Sequence, residues 1–137
     1  MVDGQVQNNL SLEQIENDSW GDPPADSSTL IATVHRLRRK PIEALSAEDI
    51  RVLVGQKMGL DVLVPRALTC LEREPLLEGD YYPGDVLVAV LQVPQSYWSA
   101  NPTQLTRLER VVTSVDNPDS ELKADIDTFM EKHSILE

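Results

Sequence analysis

The stretch Asp85-Val86-Leu87-Val88-Ala89-Val90-Leu91-Gln92-Val93 decides the fold. Its valines alternate as they would in a half-buried strand, while Leu87, Val90 and Leu91 also fall where a helix would bury them. No other apolar run in the chain offers a partner strand, and a lone strand leaves its backbone N–H and C=O groups unsatisfied. Helix is therefore the expectation, and with it an all-α protein.

The segments on either side agree. Upstream, about Leu63 to Arg73 reads as a helix with Pro65 in its first turn and Leu68, Cys70 and Leu71 facing inward. Before it, Ser46-Ala47-Glu48-Asp49 opens a helix whose stripe is Ile50, Leu53 and Val54 and which Gly59 closes. Ser28 caps another, carrying Leu30, Ile31, Val34 and Leu37 up to Pro41, and Ser11 with Gln14 makes a capping box for a short helix over about 11–17. The intervening loop holds Trp20, Gly21, Pro23 and Pro24. Downstream, Asn101-Pro102 and Asn117-Pro118 each read as a cap followed by a first-turn proline. Residues 1–10 read as a polar lead-in, and 11–137 as a single-domain bundle or short array of six to seven helices.

Composition narrows the function. A chain of 137 residues, 41% hydrophobic and 26% charged, fits one globular domain. No apolar run approaches the ~20 residues of a membrane span. The opening MVDGQVQNNL is neither basic nor apolar, so the expectation is a cytoplasmic protein with no signal peptide and no membrane contact. Twelve Lys and Arg against 23 Asp and Glu leave a net charge of −11, which repels nucleic-acid backbones and suits a basic protein partner. One cysteine, Cys70, and two histidines, His35 and His133, make neither a disulfide nor a zinc cluster, and no cofactor motif occurs. The sequence does not fix the oligomeric state.

Phosphate-binding loops, nucleophile elbows and zinc spacings are likewise missing, so no residue is assigned a catalytic role. The segment Glu78-Gly79-Asp80-Tyr81-Tyr82-Pro83-Gly84-Asp85 gathers three carboxylates and two phenols. It admits three readings: a hard-cation site, although the spacing misses the calcium-loop pattern; a structural turn that starts the next helix; or a recognition loop. The basic run His35-Arg36-Leu37-Arg38-Arg39-Lys40 ends a helix, where cations favour the exposed carbonyls and can form internal salt bridges. Gly55, inside a helix, suggests close packing; Trp20 and Trp98 suggest wedges between helices or, if exposed, interface anchors.

Taken as an ordered set, Trp20-Gly21-Asp22-Pro23-Pro24, Leu37-Arg38-Arg39-Lys40-Pro41, Glu48-Asp49-Ile50-Arg51-Val52-Leu53-Val54-Gly55-Gln56, Leu63-Val64-Pro65-Arg66-Ala67-Leu68 and Glu78 to Leu87 are distinctive. Over about residues 10 to 112 the chain resembles the helical family of bacterial contact-dependent growth inhibition immunity proteins. That resemblance implies a protein that binds the C-terminal toxin domain of a large cell-surface effector and blocks its active or substrate-binding surface. Toxins of this class are commonly nucleases, frequently cutting tRNA, and an RNA-handling surface is cationic. Shared motif residues are expected to be scaffold, because immunity proteins of one family must reject one another's toxins. The candidate partner contacts are Glu78, Asp80, Tyr81 and Asp85, then Asp18, Asp22 and Asp26. Two other functions compete: a small acidic metal-dependent hydrolase using the 78–85 carboxylates, and a helical adaptor for some other assembly.

Overall fold

A computed structural model describes residues 9–134. Within them lie eight α-helices and one 3-10 turn, with no strand. They are α1 (Leu12–Glu16), α2 (Thr29–Arg38), the turn Ile42–Ala44, α3 (Ala47–Gly55), α4 (Leu60–Arg73), α5 (Asp85–Leu91), α6 (Gln95–Ala100), α7 (Pro102–Ser114) and α8 (Ser120–Ser134). Most of the lead-in and the last three residues fall outside the described part.

The deciding stretch is helical because burial follows the helical period. Val86, Leu87, Val90 and Leu91 are buried, whereas Val88 and Ala89 are only partly covered. α5 packs mainly on α3 and also on α8, and α4 packs on α7. The core between them is aliphatic, with Leu53, Leu63, Leu68, Leu87 and Leu108 fully enclosed. Trp98 is the aromatic wedge: it is 1% exposed, its indole N–H donates to the Val93 carbonyl at 3.1 Å, and Phe129 meets it edge-on at 6.3 Å. It belongs to α6, a short helix that periodicity did not suggest and that the buried ring holds in place.

Local signals placed the helix starts well where a hydroxyl does the capping. Ser11 and Ser46 each form a reciprocal capping box, with Gln14 and Asp49, and Ser28 accepts from the Ile31 N–H at 3.2 Å. Pro102 opens α7 as its position predicts, but glycine and asparagine misled. Gly59 does not close α3; Lys57, at φ 60°, turns the chain there, with the Lys57 and Met58 N–H groups donating to Val54 and Leu53. Gly59, at φ 61°, instead starts α4, and a Cβ there would lie 2.7 Å from Leu12. The helix thus begins three residues early and carries Pro65 in its interior.

Two further expectations are corrected. The Asn101 side chain donates back to the Tyr97 carbonyl at 2.9 Å rather than capping α7. Asn117 takes a left-handed turn at φ 51°, leaving Asp119 to accept from the Leu122 N–H at 2.8 Å at the start of α8. Gly55 is exposed at the last position of α3, and an added Cβ would meet nothing within 4 Å, so helix packing does not require it.

Candidate functional site

The connection between α4 and α5 is short, irregular and heavily tied down. The Gly84 N–H donates to the Leu76 carbonyl at 3.1 Å, and Glu78 and Pro83 form an isolated antiparallel bridge across it. Asp85, the first residue of α5, is 4% exposed and turns its carboxylate into the loop. It accepts from the N–H groups of Gly79 at 2.6 Å and Tyr81 at 3.1 Å, with Tyr82 at 3.5 Å. Backbone donors and the Arg51 guanidinium, 3.9 Å away, offset the cost of burying that charge.

A second carboxylate closes the loop from α3. Glu48 accepts from the Asp80 N–H at 2.9 Å and from Arg51 Nε at 2.7 Å. The Arg51 hydrogen bond holds the Glu48 carboxyl below its ordinary range against the opposing effect of burial, and Glu48 in turn raises Arg51. Gly79 passes between the two acids: a Cβ there would lie 2.6 Å from Glu48 Oε1 and 3.1 Å from Asp85 Oδ2. An added methyl would force the Glu48 carboxylate, held there by Arg51 and the Asp80 N–H, to shift.

What this framework displays is aromatic and acidic. Tyr81 is 70% exposed and rests one face on Arg51, whose guanidinium carbon is 4.7 Å from the ring centroid. Tyr82 is also exposed, and its hydroxyl is pushed up by partial burial and by Asp125, Asp85, Glu121 and Asp119. The residue before α8 and the first turns of that helix therefore stand beside the loop with Asp119, Glu121 and Asp125, three carboxylates that no local spacing connects to it. Glu78 and Asp80 are exposed on the loop itself.

The structure separates the candidate contacts. Glu78, Asp80 and Tyr81 share this face. Asp85 is corrected to a structural residue, since its oxygens are buried and engaged by the loop's own backbone. Asp18, Asp22 and Asp26 belong to a different constellation, on the loop between α1 and α2. There Arg38, 2% exposed, donates to Glu16 at 2.6 Å and to the Asp18 carbonyl at 2.7 Å, and lies 4.2 Å from the Trp20 ring centroid. Trp20 donates to the Asp18 carboxylate at 3.2 Å and meets His35 edge-on at 5.0 Å. Asp22 pairs with Arg39 at 3.1 Å, while Asp26 is exposed. With Lys40 on Asp49 at 2.8 Å, most of the basic run is spent on internal pairs.

Among the described residues no group of three or more His, Cys, Asp or Glu converges as a metal site would require. Of the loop carboxylates, Asp85 caps the backbone, and its neighbour Glu48 is bound to Arg51. No described helix is long and apolar enough to cross a membrane.

What the arrangement provides is a hydrogen-bonded loop that displays Tyr81, and comparison with known families gives it a context. A family model described as CDI immunity proteins matches residues 14–108. The chain belongs to that family. No curated protein matches the sequence. For a CDI immunity protein the role is toxin neutralisation by binding a cognate toxin. The matched span contains both arginine constellations, with Glu16, Trp20, Arg38, Glu48, Arg51, Gly79 and Asp85. It stops before Asp119, Glu121 and Asp125. In this immunity protein the loop's supports thus lie inside the family pattern, and part of the acidic face around Tyr82 lies outside it.

Proposed function

We propose that this immunity protein works in the cytoplasm, without catalysis, by seating the Tyr81–Tyr82 loop and the flanking α8 carboxylates on the cationic face of a nuclease toxin, a tRNA-cleaving one being the first to test. The observation that carries the reading is a Tyr81 ring left 70% exposed on a backbone that two carboxylates and a glycine hold fixed. A rigid displayed aromatic costs little entropy on binding and suits the centre of an interface. Surrounding carboxylates would meet the lysines and arginines with which such a toxin holds phosphates, and a chain of net charge −11 is drawn to that surface over a distance. Blocking either the active site or the substrate-binding face would protect.

Neutralisation has to outlast each encounter, so a dissociation constant near nanomolar, about −12 kcal/mol, is the appropriate scale. An interface of about 800 Å² per partner supplies it. The test is co-expression with the C-terminal domain of the effector encoded beside this gene, followed by pull-down and growth measurement. The expected result is a stable one-to-one complex and restored growth, lost on reversing Glu78, Asp80 and Glu121 to lysine. Growth arrest despite abundant immunity protein would overturn the reading.

A further inference from the structure

On the other side of α3 from the Tyr81 loop lies a cleft of about 660 Å³ whose character is opposite to that of the acidic face. Its floor is apolar, with Leu45, Ile50 and Leu77, and its rim carries Arg66 and Arg73 of α4 and Arg107 of α7. Arg107 is fixed by two bonds of 2.9 Å to Glu72, one of 2.9 Å to Gln104 and one of 3.1 Å to Thr69, and the Glu72 bonds raise its already high pKa. Arg66, Arg73 and Arg107 thus share the cleft lining with one carboxylate, Glu74, while Glu72 beside it pairs with Arg107, in a chain with 23 Asp and Glu to 12 Lys and Arg. The two surfaces are neighbours. α3 turns Glu48 and Arg51 to the loop and Ala47 and Ile50 to the cleft, and Leu77 on the cleft wall is followed directly by Glu78.

The geometry points to this cleft as a second docking point for the same partner, taking a segment of the toxin domain that carries an acidic side chain beside an apolar one. The proposal rests on the toxin-binding reading and extends it. The apolar floor would cover the hydrophobic group, and the Arg73 guanidinium would hold the carboxylate in a forked geometry that lysine does not reproduce. A nucleic-acid strand is disfavoured there, because the basic rim is small and the surface beyond it is acidic. Contacts of opposite polarity on the two sides of α3 would fix the toxin's orientation. A toxin with only a cationic face would dock loosely and in more than one register.

Cys70, the one cysteine of the chain, lines the cleft and is partly exposed, so it reports occupancy without any substitution. The experiment measures the rate of N-ethylmaleimide reaction at Cys70 in the free protein, in the complex with the adjacent effector's C-terminal domain, and with inorganic phosphate alone. Docking predicts a rate about tenfold or more slower in the complex and unchanged in phosphate. It also predicts that Arg73→Glu weakens the complex about tenfold or more, while Arg73→Lys, which keeps the charge, loses less. A complex that forms with Cys70 as reactive as before overturns the cleft proposal alone. Protection by phosphate overturns it in favour of a small-anion site. Failure to form any complex removes the toxin-binding reading and this one with it.

Discussion

Two arginines in this protein each lie against an aromatic ring and pair with a glutamate, yet one ring is held down and the other is held up. Arg38 is enclosed beneath Trp20, bonded to Glu16 and to the Asp18 backbone, and Trp20 is further pinned by His35 and by its own bond to Asp18. Arg51 lies nearer the surface, bonded to Glu48, and the Tyr81 ring above it has no hydrogen bond of its own to hold it down; it is 70% exposed. An arginine, a glutamate and an aromatic ring therefore make a clamp at one site and a pedestal at the other. The difference lies in how much surface the arginine loses: Arg38, 2% exposed, is closed over by the ring it carries, whereas Arg51, 23% exposed, carries its ring out towards solvent.

The sharpest way to break this comparison is Arg38→Ala. It should cost about 3 kcal/mol of global stability, the low end for a broken buried pair because Glu16 can turn towards water, read as a shifted urea midpoint. A loss no larger than that of Arg51→Ala would mean the clamp is not one. Tyr81→Ala should do the reverse, leaving the urea midpoint within about 0.5 kcal/mol of the parent while weakening the toxin complex by roughly 30-fold, about 2 kcal/mol. Calorimetry on the complex checks the second half.

Gly79→Ala tests whether the pedestal needs its gap. With a Cβ 2.6 Å from Glu48 Oε1, it should destabilise by about 1–3 kcal/mol and loosen the loop, seen as faster amide exchange at Asp80 and Tyr81. Acid should act through the same pair. Glu48 titrates below its ordinary value of 4.5 in the folded protein, so the unfolded chain binds the proton first. Its contribution is present above about pH 4.5 and is lost as pH falls through the lower folded value; Glu48→Gln should flatten that part of the stability curve. The smallest effect is expected two turns further along α3, where Gly55→Ala meets open space and should stabilise by about 0.4–1 kcal/mol in thermal melts.

Much of the clamp was legible in the residues that form it. A basic helix end reads as a source of internal salt bridges, and Arg38, Arg39 and Lys40 make them. The pedestal was legible only in part. Glu48 and Arg51, three apart on one helix, announce a pair, but nothing local says that Glu48 also accepts from an N–H 32 residues away. Nor does any spacing bring Asp119, Glu121 and Asp125 to Tyr82, because that contact depends on how α8 packs on α5.

From residues alone came the all-helical class, the serine-capped helix starts, the acidic charge and the ordered motifs that resemble the immunity family. Each is set by a few neighbouring side chains or by a simple sum over the chain. Packing decided which charges face a partner. Asp80 and Asp85 have the same side chain and stand five positions apart, and one is exposed while the other is enclosed with three backbone donors aimed at it. The cost of removing a carboxylate from water, and the donors that offset it, are fixed by segments that meet only after the helices have assembled.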